Sequence, residues 1–320
     1  MEPTIRSAAG LVAAGLLPAA LQADAAAVAK RYAIAVSPAV AALIDRADPA
    51  DPIARQYVPD AAELVTAPWE IDDPTADAPF TPIKGVVHRY PDRALLKPLL
   101  ACPVYCRFCF RREVVGPGGG VLTDAELDAA LDWFAATTAI TEVILTGGDP
   151  LMLAPRRLAR IVARLSAIPH VQVIRLHTRV PVADPARVTE ALVAALDSEK
   201  AVFICVHANH AREFSIAARD ACRRLTAGGI PLLGQSVLLR GVNDSTAALE
   251  DLFRAMLRSR IKPYYLHQLD NAPGTARFRV PPEEGLALVG ALRGRVTGLA
   301  WPTYVVEAPG GAGKRLVSAA

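Results

Sequence analysis

From residue 84 onward the chain alternates between two hydrophobic rhythms. Short runs dense in Val, Ile and Leu at 95–100, 142–146, 171–176, 202–206, 231–233 and 263–266 have the length and branching of buried strands. Segments at 123–136, 155–165, 185–197, 211–226, 245–258 and 282–294 space their apolar positions three and four apart, which predicts amphipathic helices. Thr123 suits the N-cap of the first of these. Such alternation predicts an α/β fold with a parallel sheet and helices outside it. Six units suit a partial (β/α)6 TIM-like barrel, and an open doubly wound sheet is the alternative that this pattern leaves standing.

The first 84 residues lack that regularity. Residues 8–20 are apolar and Ala-rich, but Glu2 sits beside Arg6 and Pro18 interrupts the run. This reads as a packing helix or amphipathic arm rather than an export signal. Over 48–82 the composition shifts to Pro, Asp and Ala with little periodicity, as expected of an irregular strap over the following domain. The expected division is therefore an N-terminal helical arm and strap at 1–84, then a barrel with a lysine-bearing C-terminal segment at 85–320. Nothing approaches the ~20 apolar residues of a membrane span.

Charge narrows the partners. With 35 basic and 32 acidic residues the net charge is +3, and no run of like charge forms a nucleic-acid tail. A small molecule is the expected partner, with no nucleic acid and no membrane. Three of the five cysteines stand together while Cys205 and Cys222 are single. That usage argues against a secreted disulfide framework and for a reducing, cytoplasmic compartment.

The clustered cysteines carry the strongest chemical signal, in Cys102-Pro-Val-Tyr-Cys106-Arg-Phe-Cys109-Phe-Arg111-Arg112. A four-iron cube normally takes four thiolates, so three leave one iron open to an exchangeable ligand. Zinc prefers four ligands in CxxC pairs, and a redox disulfide would want CxxC. Other chemical residues fall at the C-terminal ends of the later strands, where α/β folds gather ligands. They are Gly147-Gly148-Asp149, His177-Thr178-Arg179, His207 to His210, Gln235, and His267 to Asp270. Glycines at 147 and 148 would let the backbone approach a ligand closely. Near the C-terminus, Lys314 follows the glycine-rich stretch Gly310-Gly311-Ala312-Gly313, after an apolar strand at 304–306. A P-loop would need GxxxxGK[ST] opening a helix. A lysine on a glycine turn instead suits reversible imine chemistry with an aldehyde.

The CxxxCxxC spacing resembles the radical S-adenosylmethionine (SAM) enzymes, and Gly147-Gly148 resembles their element for the SAM amino group. Over residues 86–314 the separate motifs together resemble the lysine 2,3-aminomutases, which add pyridoxal 5′-phosphate (PLP) to that cluster. The resemblance implies a radical SAM partial barrel in which Cys102, Cys106 and Cys109 ligate a [4Fe-4S] cluster. Gly147, Gly148, Asp149, His207 and Gln235 would lie near SAM. His88-Arg89-Tyr-Pro-Asp-Arg93 matches the stretch whose arginines grip the PLP phosphate, which assigns Arg89 and Arg93. Lys314 matches the lysine that bonds PLP, and Arg111 the arginine for the substrate carboxylate. Asp270 and Glu307 match the two carboxylates for a distal ammonium, Glu307 standing where the family has an aspartate. The implied reaction uses a 5′-deoxyadenosyl radical to move the α-amino group of a basic amino acid, foremost L-lysine, to the β-carbon. A flavodoxin- or ferredoxin-type electron donor is implied, and a homodimer is an open assembly.

The chain departs from the better-known members in stopping six residues after Lys314, short of their cysteine-bearing zinc extension. No structural zinc is expected. This shorter build resembles the aminomutase that supplies β-lysine for modification of translation elongation factor P. Two other readings remain open from the residues: a radical SAM enzyme without PLP acting on a peptide, and a non-catalytic iron–sulfur carrier.

Overall fold

The computed structural model describes residues 3–116, 118–308 and 313–318. The N-terminal arm holds short helices, α1 (Ala8–Ala13), α2 (Gln22–Ala29), α3 (Pro38–Ala41) and α4 (Pro52–Tyr57). Each break has a local cause. The hydroxyls of Ser7 and Ser37 and the carboxylate of Asp51 cap α1, α3 and α4, and proline opens the latter two. Apolar side chains of the arm, including Leu11, Ile53 and Tyr57, form a small core with Val104 of the cysteine loop. The arm thus packs directly on the segment that carries the thiols.

Strands β1 (Val86–Tyr90) and β2 (Arg93–Leu99) form an antiparallel hairpin. From β2 the sheet runs parallel through β3 (Glu142–Gly147), β4 (Val173–Thr178), β5 (Ala201–His207), β6 (Leu232–Val237), β7 (Ile261–His267) and β8 (Thr303–Ala308). β9 (Gly313–Leu316) returns antiparallel on β8 and, among the described residues, completes nine strands in sequential order. The sheet curls far enough that its edges meet: the Lys314 N–H on β9 donates to the Tyr90 hydroxyl on β1 at 2.7 Å. The partial barrel expected from the alternation is therefore present as a nearly closed mixed sheet. The apolar strand expected at 304–306 joins the six as a seventh parallel strand, β8, and the antiparallel strands β1 and β9 form the edges.

The crossover helices are α5 (Asp124–Ala136), α6 (Pro155–Ser166), α7 (Val180–Ala183), α8 (Glu190–Ala194), α9 (Ile216–Ala227), α10 (Thr246–Arg258) and α11 (Pro282–Leu292). Thr123 caps α5 in a reciprocal pair with Glu126. The single helix expected over 185–197 is split. Pro185 opens a separate tight turn, and Thr189 then leaves the helical region to cap α8 with its hydroxyl. Likewise the helix expected over 211–226 begins at Ile216, where Ser215 supplies the cap. The apolar faces of these helices pack on the outward side chains of the strands in one large core.

Candidate active site

Period-two alternation along the strands separates that core from an interior chamber. On β3, Val143 and Leu145 go outward while Glu142, Ile144 and Thr146 face inward. On β4, Ile174 and Leu176 go outward while Arg175 and His177 face inward, and on β6 Gln235 does the same. The chamber is a cavity of about 810 Å³, a size that holds a cofactor together with a substrate. Cys102, Cys106 and Cys109 line it, and so do Asp270, Glu307 and Lys314. The two chemical centres read from opposite halves of the sequence thus open onto one space.

The cysteine loop is held from outside the barrel. Its Tyr105 N–H donates to Ala35 O at 3.0 Å and its Arg107 N–H to Gln56 O at 2.8 Å, both in the arm. Arg107 is 1% exposed, which demands compensation for its charge. Its Nε and Nη2 donate to the Glu63 carboxylate at 3.0 and 2.5 Å, and its Nη1 donates to Ala33 O at 2.9 Å. Arg112 shares Glu63 and also donates to Arg107 O at 2.7 Å. Burial pushes all three thiols up, Cys106 to about 12, so they are neutral until a metal displaces their protons. Beside them Arg179 donates Nη1 to Tyr57 and to Glu213, the latter at 3.3 Å, yet its Nε and Nη2 are buried without a partner among the described residues. Three free thiols facing a chamber with an unsatisfied guanidinium edge among them suit an anionic iron–sulfur cluster and an anionic ligand on it.

The glycine pair has a packing reason as well. Gly147 adopts φ +103°, and a Cβ there would lie 2.7 Å from Leu99 O, while one on Gly148 would strike the Ala101 backbone. Their lack of side chains lets the start of the cysteine loop settle on the end of β3. The N–H of Gly148 donates to Leu99 O at 2.8 Å, which leaves its carbonyl as the group it can offer a ligand. Asp149 lines the cavity, but its buried carboxylate accepts from Thr178 Oγ1 and Arg179 N, each at 2.7 Å, and from Leu151 N at 3.1 Å. It ties the turn after β3 to the turn after β4.

Around Lys314 the charges form a chain. Lys314 Nζ lies 3.0 Å from Glu307 Oε2, and the other oxygen of Glu307 accepts from Arg89 Nη1. Arg89 Nη2 is 3.6 Å from Asp77 Oδ1, and Asp77 in turn binds Arg111 at 3.0 Å. Arg93 takes a different direction, pairing with Asp92 at 2.8 Å with its guanidinium 3.6 Å over the Tyr90 ring. The structure therefore lines the chamber with Arg89 and Arg93 but gives them no common partner among the described residues. Asp270 also lines the chamber. Burial first, then repulsion from Glu307, push its carboxyl up to about 7, against attraction from Lys314, Arg111 and Arg89. His207 Nε2 is 3.2 Å from Asn209 Oδ1, and burial with the Arg179 charge holds its ring neutral. His177 Nε2 is buried without a partner among the described residues, and desolvation likewise keeps that ring neutral. An imidazole nitrogen without a partner among the described residues, a lysine and two arginines lining one chamber suit a phosphorylated aldehyde such as PLP. The expected glycine turn at Gly310 and Gly311 lies outside the described residues.

Several participants carried no assignment in the sequence. Asp77 and Glu63 come from the aperiodic strap and declare themselves only in three dimensions. Arg175 had a readable signal: a charge between Ile174 and Leu176 on a strand buried on both faces must point at an interior ligand or ion, and it lies 3.0 Å from Glu142. Tyr90 was legible as part of Tyr-Pro-Asp-Arg, a short turn between strand-like flanks.

Residues 96–253 match the Radical SAM superfamily. The chain is 39% identical over 285 residues to the L-lysine 2,3-aminomutase of Clostridium subterminale, covering 89% of this chain and 68% of that protein. It is 40% identical over 281 residues to the L-lysine 2,3-aminomutase of Acetoanaerobium sticklandii, with 88% and 68% covered. A glutamate 2,3-aminomutase of Clostridioides difficile is 35% identical over 287 residues, with 90% and 68% covered. No helix among the described residues is long and apolar enough to cross a membrane. By these matches the chain belongs to the lysine 2,3-aminomutase family of radical SAM isomerases, a family that implies a [4Fe-4S] cluster and SAM.

Proposed function

We propose that this protein is a PLP-dependent 2,3-aminomutase whose substrate is a basic amino acid, foremost L-lysine. The observation that carries the reading is the shared chamber, lined both by the three cysteines and by Lys314. Cys102, Cys106 and Cys109 would hold the cluster, with SAM at its open iron against Gly147, Gly148, His207 and Gln235. PLP would be bonded at Lys314 Nζ with its phosphate held by Arg89 and Arg93, and when bound it would supply a conjugated π-system able to delocalise an unpaired electron. The remaining work belongs to the chain. Arg111 orients the substrate carboxylate through its guanidinium fork. His177, His207 and His267, half-buried on the chamber wall, stay neutral because their surroundings disfavour the charged ring, and they add no charge to the radical's surroundings. The sheet and its helices keep water away from the reacting carbon.

Charge supports a cationic substrate side chain through Asp270 more than through Glu307. Glu307 is already engaged by Arg89 and Lys314, whereas Asp270 makes no side-chain hydrogen bond among the described residues. A substrate ammonium beside Asp270 would favour its ionised form, which burial alone disfavours. The proposal also needs a one-electron donor of flavodoxin or ferredoxin type and a reducing, cytoplasmic setting.

The test is anaerobic reconstitution with iron, sulfide, SAM and PLP, followed by assay of 5′-deoxyadenosine and β-amino acids across a panel of amino acids. Conversion of lysine, with ornithine or arginine weaker and glutamate inert, supports the proposal. Conversion of glutamate or neutral amino acids but not basic ones refutes the charge argument. SAM cleavage with no amino-acid product, or a cluster that leaves SAM intact, returns the reading to one of its rivals.

A further inference from the structure

The strap that precedes β1 contributes a side chain to the chamber. Asp73 accepts the backbone N–H groups of Asp77 at 3.0 Å and Ala78 at 2.9 Å, fixing a tight turn between them. Ala76 within that turn has φ +48°, a left-handed conformation that costs a non-glycine residue ~1 kcal/mol. Thr75 Oγ1 donates to Asp77 Oδ1 at 3.2 Å. The turn therefore aims one carboxylate, 16% exposed, at the cavity wall.

There Asp77 meets three cations. Its Oδ2 accepts from Arg111 Nη2 at 3.0 Å and Nε at 3.3 Å and lies 3.5 Å from Lys97 Nζ, while Oδ1 lies 3.6 Å from Arg89 Nη2. Burial would raise the Asp77 pKa, but Arg111 and Lys97 hold it below the usual aspartate range, so it stays anionic. A guanidinium has two edges able to bind a carboxylate, Nε with Nη2 and Nη1 with Nη2. Asp77 occupies the first edge of Arg111. The second edge has no partner among the described residues, and the side chain lines the cavity.

We propose that Asp77 is a positioning residue for Arg111, holding its Nε–Nη2 edge so that the Nη1–Nη2 fork faces the α-carboxylate of the substrate. The inference rests on the substrate role given to Arg111 above. It makes residues before β1 part of the specificity apparatus, since a rotated guanidinium would bind the carboxylate through a single hydrogen bond. Lys97 and Arg89, the other cations on Asp77, keep it fixed when substrate arrives.

The experiment measures equilibrium binding of L-lysine and of L-lysinamide to the unreduced holoprotein, where no turnover occurs. Wild type, Asp77→Asn, Asp77→Glu, Arg111→Met and the Asp77→Asn, Arg111→Met double variant are compared, with thermal melts to establish folding. Asp77→Asn should weaken lysine roughly tenfold and leave lysinamide within roughly twofold, because only lysine carries the carboxylate. Asp77→Glu should recover part of the loss, and Asp77→Asn should add nothing once Arg111 is gone. Equal weakening of both ligands would reduce Asp77 to general support of the fold, and tighter lysine binding would make it a competing carboxylate; either result overturns the proposal. A wild-type protein that does not distinguish lysine from lysinamide refutes the Arg111 assignment itself, a failure distinct from that of Asp77.

Discussion

Asp270 gives the chamber a measurable pH signature. The group ionises near 3.8 when free and near 7 in the folded chain, because burial and Glu307 disfavour its charge. That interval corresponds to roughly 4 kcal/mol, a ceiling on its effect on stability. The sign follows from proton counts. Between these values the unfolded chain has released the proton and the native chain still holds it, so stability falls as pH rises from about 4 to about 7. Above pH 7 the full cost remains. Asp270→Asn keeps the shape and removes the charge, so at pH 4, before the unfolded chain gains much from ionising the carboxyl, it should melt close to wild type. At pH 8 it should be more stable by about 1 to 3 kcal/mol, a rise of several degrees for a chain of this size. The assay is a thermal melt of anaerobic protein without amino acid at the two pH values. Parallel behaviour of the two proteins, or a variant less stable at pH 8, would refute the reasoning. The same substitution should abolish lysine turnover, because it removes the anion that receives the cationic side chain.

Three further outcomes follow from the geometry. Glu63→Gln leaves Arg107 and Arg112 buried without their common carboxylate; stability should fall by about 3 to 5 kcal/mol and iron content with it, and unchanged melting would contradict the assigned support. Gly148→Ala drives a methyl group into the Ala101 backbone, so about 1 to 3 kcal/mol and much of the bound iron should be lost; a variant with full iron would show that the cysteine loop tolerates the displacement. Lys314→Ala should abolish the visible absorbance of lysine-bound PLP and leave the iron and sulfide content unchanged, whereas retention of that absorbance would place PLP on another lysine.

The chemistry of the site was more legible in the sequence than its support. CxxxCxxC, the glycine pair and the polar residues at strand ends are local patterns, and a parallel α/β sheet delivers all strand ends to one side. The alternation of Ile174 and Leu176 with Arg175 and His177 was equally readable, once both faces of β4 are known to be buried. Glu63 and Asp77 were hidden for a physical reason. Their partners lie 44 and 34 residues further on, and the strap that carries them has no period to reveal which way it faces. Glu307 shows a related limit. The family resemblance assigned it to a substrate ammonium, while its protein partners were not readable: the antiparallel pairing of β8 with β9 sets it beside Lys314, and the hairpin brings Arg89 to its other oxygen. A side chain's partners depend on which strands become edges and where those edges meet, and one strand's pattern does not encode that.

The central claim is that radical generation and amino-acid chemistry share one chamber. Its most direct test is turnover of L-lysine deuterated at the β-carbon by the reduced, reconstituted enzyme. The account predicts β-lysine as product, with deuterium appearing at the 5′-carbon of recovered SAM. Formation of 5′-deoxyadenosine free of deuterium, with lysine unchanged, would contradict it.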